Sequence, residues 1–148
     1  MNKLEEIIKI AYIHAAKILL AQQRLKNLFP VNASKISKLV EEEFLFIELL
    51  TSRFSKLQDF IGTKLIDAFF EKKGEIFSDM TLIDKVNKLE RLNIIDHSST
   101  WLKMREVRNH LAHEYPEHPE ITAAHLNQVF TLSPQLLNIL NNIKNKSK

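Results

Sequence analysis

No cysteine occurs anywhere in the 148 residues. Disulfides, thiolate metal sites and cysteine nucleophiles are therefore excluded. Glycine occurs only twice and proline four times, too few for a chain of tight hairpin turns and too few for a structureless linker. No apolar run approaches the roughly 18 residues that a membrane span requires. The N-terminal MNKLEEIIKIAYIH mixes charges of both signs into its apolar positions. It lacks the basic start, unbroken apolar block and small-residue cleavage site of a signal peptide. A soluble, cytoplasmic protein with no membrane association is expected. The net charge of +3 permits a polyanionic partner without requiring one.

What fills the sequence is Leu, Ile, Lys, Glu and Asn, a mixture that suits helices better than sheets. The length is that of one ordinary domain, so residues 1–148 are expected to form a single all-α unit. In the first segment Leu4, Ile7, Ile8, Ala11, Ala15, Ile18 and Leu19 recur at helical spacing. After Asn32 and Ser34, a second apolar series from Ile36, Leu39 and Val40 to Phe69 predicts one long helix. Gly62 is its possible kink and Gly74 its end. Thr81 and Asp84 form a capping-box pattern that opens a third helix through about Leu92. Ser98 or Ser99 can cap a fourth, which Pro116 should stop near His113 or Glu114. A fifth begins beyond Pro119, interrupted or restarted at Ser133 and Pro134. The predicted architecture is an up-and-down bundle of about five helices on a long N-terminal hairpin.

Within that order, the run VRNHLAHEYP at residues 107–116 is unusual. Trp101, Met104, Arg108, Leu111 and Tyr115 are spaced three, four, three and four apart, so they share one helical face. Arg108 stands where a core leucine would be expected. A guanidinium on a buried face must be paired, hydrogen-bonded or directed into a cleft. The bland solutions are that its stem snorkels from the stripe's edge, or that it binds a carboxylate such as Glu41, Glu42, Glu43 or Glu48 on the second helix. His113 follows Arg108 by five residues, ~140° around an ideal helix. The two converge only if the helix end unwinds, or if a two-fold axis brings in the pair of a second copy.

Arginine and histidine together suit metal-free cleavage of an RNA phosphodiester. Histidine moves a proton from the 2′-hydroxyl or to the leaving oxygen, and arginine stabilises charge on the phosphorane oxygens. Asn109 can orient either group or bind phosphate, and is equally an ordinary exposed residue. His110 lies close enough to line the same cleft. His110 and His113 are three apart, but no HExxH pair or carboxylate-flanked set accompanies them, so no metal is assigned. The segment FLFIELL, residues 44–50, is apolar nearly all round and is expected to serve both core and interface.

Arg108, four intervening residues, His113, one residue and Tyr115 form a motif that resembles the HEPN superfamily, and its HepT-like toxins in particular. The predicted helix order is similar to that family's over nearly the whole chain. The resemblance implies a homodimer in which Arg108 and His113 of both copies face a shared cleft as a metal-independent endoribonuclease, with RNA as substrate and no cofactor. It also implies a cognate minimal nucleotidyltransferase antitoxin that transfers AMP to Tyr115. Other relatives, which share the pattern of Trp101, Leu102 and Met104, imply the alternative of a non-catalytic interaction module that serves as substrate-binding partner of a nucleotidyltransferase.

Overall fold

A computed structural model describes residues 1–111 and 117–148. These residues form helices and connecting turns, with no strand among them. The first helix, α1 (Lys3–Leu25), is opened by Asn2, whose side chain accepts the Glu5 N–H while Glu5 accepts the Asn2 N–H in return. It buries Leu4, Ile8, Ala11, Ala15, Ile18, Ala21 and Leu25, a stripe with the three-and-four spacing of one helical face. Leu19, expected in that stripe, is 56% exposed; the drift of 3.6 residues per turn passes the stripe to Ala21 and Leu25 instead.

The predicted second helix is divided. A five-residue helix, α2 (Ala33–Ser37), is capped by Asn32, and the chain then turns extended at Val40 before α3 (Glu41–Phe60). The division has a local cause. Three glutamates occupy the first turn of α3 and favour its positive end, and Glu43 accepts the Val40 N–H at 3.0 Å. These groups favour a helix start at Glu41 over a continuation from Ile36. From Phe60 the helical path runs through a π-helical turn (Ile61–Leu65) into α4 (Ile66–Lys72). Gly62 therefore lies in a π-bulge, one of the identifiable causes of helix irregularity. Gly74 closes the run at φ +73°, a left-handed angle that glycine adopts without strain.

Helices α1 and α3 through α4 form the long antiparallel hairpin that the sequence predicts. The pairing is marked from one end to the other by Arg24 with Glu42, His14 with Arg53 and Lys3 with Glu71. The FLFIELL segment divides its residues: Ile47 and Leu50 are buried, while Phe44 and Leu45 are exposed.

Thr81 and Asp84 make the expected reciprocal capping box at the start of α5 (Leu82–Arg91). The fourth predicted helix, α6 (Ser98–Leu111), begins at Ser98 itself. The Ser98 N–H donates to the Glu90 carboxylate at the end of α5. That bond holds the Glu90 pKa below the usual glutamate value, with His97 and Arg91 adding to the shift and desolvation opposing it. A depressed carboxylate pKa stabilises the fold above the ordinary glutamate range, and the stabilisation is lost as pH falls through the lower folded value. Glu90→Gln is expected to melt below wild type at neutral pH, with the gap closing in that acid window. Melting temperatures across a pH series measure it, and a gap independent of pH would refute it.

The last helix, α7 (Pro119–Lys146), starts with proline at its first position, where the missing N–H costs nothing. It is continuous through Ser133 and Pro134, contrary to the predicted interruption. Ser133 is fully buried and donates its hydroxyl to the Val129 carbonyl at 2.6 Å. Burial of Leu126, Val129, Leu132, Leu136, Leu137, Ile139, Leu140 and Ile143 offsets the roughly 3 kcal/mol penalty of an internal proline. The helix also includes most of the lysine-rich KNKSK end.

Trp101 of α6 is fully buried in the middle of the bundle. A Cβ placed on Gly62 would lie 3.3 Å from its Cζ2. Gly62→Ala gains up to about 1 kcal/mol of helix propensity but requires a fully buried indole to give way by a few tenths of an ångström, an overpacking penalty of about 1–3 kcal/mol. The variant is expected to lose up to about 2 kcal/mol in chemical denaturation; a gain in stability would show that Trp101 can shift.

Candidate functional site

On α6 the fully buried residues are Trp101, Met104 and Val107. The stripe therefore continues through Val107 rather than Arg108, since valine carries no charge to desolvate. Arg108 stands ~100° further round, with its side chain 33% exposed. Leu111 is half-buried. Tyr115, the last member of the predicted face, and His113 lie outside the described residues, as do Ala112, Glu114 and Pro116.

Arg108 is paired. Its Nε donates to both carboxylate oxygens of Asp59 at 2.9 and 3.1 Å, and its Nη2 donates to Oδ2 at 2.6 Å. The carboxylate is not one of the four glutamates near the start of α3; it comes from the last turn of that helix. These hydrogen bonds raise the already high Arg108 pKa, desolvation opposes them, and the charge of Asp59 adds to the rise. The guanidinium is a permanent cation gripped along one edge.

An open groove of about 620 Å³ lies along α3 beside the end of α6. Its lining includes the hydroxyl side chains Thr51, Ser52 and Ser55, the cationic side chains Arg53 and Lys56, the carboxylate of Glu48, and Leu111. Ser55 and Lys56 are one helical turn from Asp59, and Leu111 is one turn from Arg108. Neither member of the ion pair lines the groove itself; each is one helical turn from a residue that does. Arg53 is itself fixed, with its Nη1 at 3.1 Å from His14 Nδ1. Burial lowers the His14 pKa, and the charges of Arg53 and Lys56 lower it further. Because arginine can only donate, Nδ1 of His14 is the acceptor in this contact.

The remaining predicted residues are placed differently. Asn109 is exposed. His110 turns away from the Arg108 side: its ring stacks on His125 of α7, with centroids 4.5 Å apart and planes at 13°, and it lies 3.7 Å from Glu106. Burial lowers the His125 pKa, the charges of His110 and Lys103 lower it further, and Glu106 opposes them. Arg108 therefore belongs with α3 and His110 with α7, as expected of residues ~200° apart on one helix. Among the described residues no three of His, Cys, Asp and Glu converge as a metal cradle, and no helix is long and apolar enough to cross a membrane.

Sequence reading did not single out Asp59, Arg53, Lys56 or His14. Each is an ordinary polar position on its own helix, and their significance comes from contacts between helices distant in the chain. No family model, curated protein or solved structure matches the chain.

Proposed function

We propose that the chain is the toxin of a HEPN-type toxin–antitoxin pair, a homodimeric and metal-independent endoribonuclease. Arg108 and His113 are its catalytic residues, with Asn109 supporting the site from the same helix; His110, stacked on His125 of α7, is not assigned a part in it. The observation that carries this reading is the placement of Arg108. It stands on the flank of the apolar face of α6 with its side chain 33% exposed, one helical turn from a groove whose lining carries Arg53, Lys56 and hydroxyl groups together with Glu48. Such a surface suits a phosphodiester backbone, which is recognised chiefly through its charge.

In the proposed reaction His113 takes the 2′-hydroxyl proton as the oxygen attacks phosphorus, or protonates the departing 5′-oxygen. Arg108 stabilises the negative charge that accumulates on the non-bridging oxygens. A cognate nucleotidyltransferase transfers AMP to Tyr115 and closes the cleft to RNA by charge and bulk. The direct test is incubation of the purified chain with labelled RNA in excess chelator. Cleavage is expected with ribose substrates and not with the 2′-deoxy analogue, because the latter lacks the attacking oxygen.

The alternative is a non-catalytic module that presents its helix end to a nucleotidyltransferase. The Asp59–Arg108 bond favours it to this extent, that Arg108 already has an anionic partner within the fold. It predicts no cleavage under any of these conditions.

A further inference from the structure

The contact between α3 and α6 gives Asp59 a function of its own, and the inference rests on the ribonuclease reading above. We propose that Asp59 is a positioning residue: it holds the Nε–Nη2 edge of Arg108 and leaves the opposite edge as the one that receives a substrate phosphate.

A guanidinium has two edges that can form paired hydrogen bonds with an oxyanion. Asp59 takes the edge made by Nε and Nη2, with three hydrogen bonds between 2.6 and 3.1 Å. The edge formed by Nη1 and the second proton of Nη2 is then the one that can meet a phosphodiester. A free arginine samples many rotamers, and ordering it only when substrate arrives would slow the reaction. Anchorage by a carboxylate removes that freedom beforehand. Lysine could not be held in this way, because it offers a single charged point and no planar fork.

Stability alone does not account for the pair. The two side chains are 33% and 46% exposed, and ion pairs this wet contribute little to folding. Trp101, Met104 and Val107 already anchor α6 through complete burial. The consequence of the contact is geometric, and it brings one disadvantage: Asp59 places negative charge near a site meant for an anion. A contact that merely blocked Arg108 would therefore have the opposite functional sign from one that aims it.

The test compares wild type, Asp59→Asn, Asp59→Ala and Arg108→Ala, with cleavage of one labelled RNA followed at single turnover over a range of protein concentrations. Asparagine keeps one acceptor and loses the charge; alanine loses both. The expected result is a fall in the maximal rate of about 10-fold for Asp59→Asn and about 100-fold for Asp59→Ala. The half-saturating concentration should remain within about three-fold of wild type, and the thermal melt should be close to it. A purely structural contact would not produce that split. Wild-type or faster cleavage by both Asp59 variants, with Arg108→Ala inactive, would overturn this inference alone. A wild type that cleaves no RNA would overturn it together with the reading on which it rests.

Discussion

Arg108→Ala is expected to lower RNA cleavage by about 10²–10³-fold, and His113→Ala by about 10²–10⁴-fold, with the fold intact in both. For Arg108 the separation between activity and stability follows from its exposure. The three hydrogen bonds to Asp59 look strong on distance alone, but solvent reaches both partners and reduces the pair to at most about 1 kcal/mol. Asp59 is already 46% exposed beside Arg108, so removing the arginine strands no buried charge in the core. Arg108→Lys separates charge from geometry. It retains the cation and loses the fork, and should recover only a small part of the rate. Single-turnover cleavage beside a thermal melt checks each variant. Cleavage at the wild-type rate by Arg108→Ala would reduce the residue to a surface ion-pair partner.

Trp101→Ala should have the largest effect on stability, about 3–5 kcal/mol. The indole is fully buried, and Gly62 approaches so closely that even a Cβ there would press on it. Its Nε1 has no hydrogen-bond partner among the described residues, so truncation sacrifices packing and not a polar contact. The cavity would open between α6 and the π-helical turn, two rigid elements poorly able to collapse into it. At roughly 2–4 °C per kcal/mol for a chain of this size, the melting temperature should fall by roughly 6–20 °C. Trp101→Phe fills much of the same space and should lose about half as much. A melt within a few degrees of wild type for Trp101→Ala would mean that the core repacks around α6 far more freely than its burial indicates.

These two residues share one helix, and sequence periodicity handles them unequally. Trp101 and Met104 could be assigned to the core because burial of apolar groups at helical spacing is a local pattern. Arg108 could be recognised as a departure from that pattern, but not as a residue on the flank of a stripe completed by Val107. Its partner was beyond reach: Asp59 is 49 residues away, and nothing near it in the sequence states which face of α3 meets α6. The reciprocal cap of Thr81 with Asp84, the start at Pro119 and the stop at Gly74 were legible because each involves residues within one turn. The break before Glu41 was obscured by apolar residues at Ile36, Leu39 and Val40 that mimic a continuous stripe. Pro134 presents the reverse case. Its local preference argues for a restart, and burial along both sides of α7 overrides it.

The site divides in the same manner. The motif's residue types and spacing are sequence properties, and they are what the proposed chemistry requires. The groove with Arg53 and Lys56, the fixation of Arg53 by His14, and the turning of His110 toward His125 are consequences of how α1, α3, α6 and α7 meet. Charge near Arg108 is accordingly set by α3 more than by the helix that carries the motif.

The measurement that bears most directly on the proposed function is growth and total RNA integrity after induction of wild type, Arg108→Ala and His113→Ala, each with and without a nucleotidyltransferase encoded beside the gene. The proposed function predicts growth arrest with RNA loss in wild type alone, relieved by the nucleotidyltransferase. Normal growth and intact RNA in all three strains, with each protein folded and dimeric by sizing, would contradict it and leave Arg108 as a structural or partner-contacting residue.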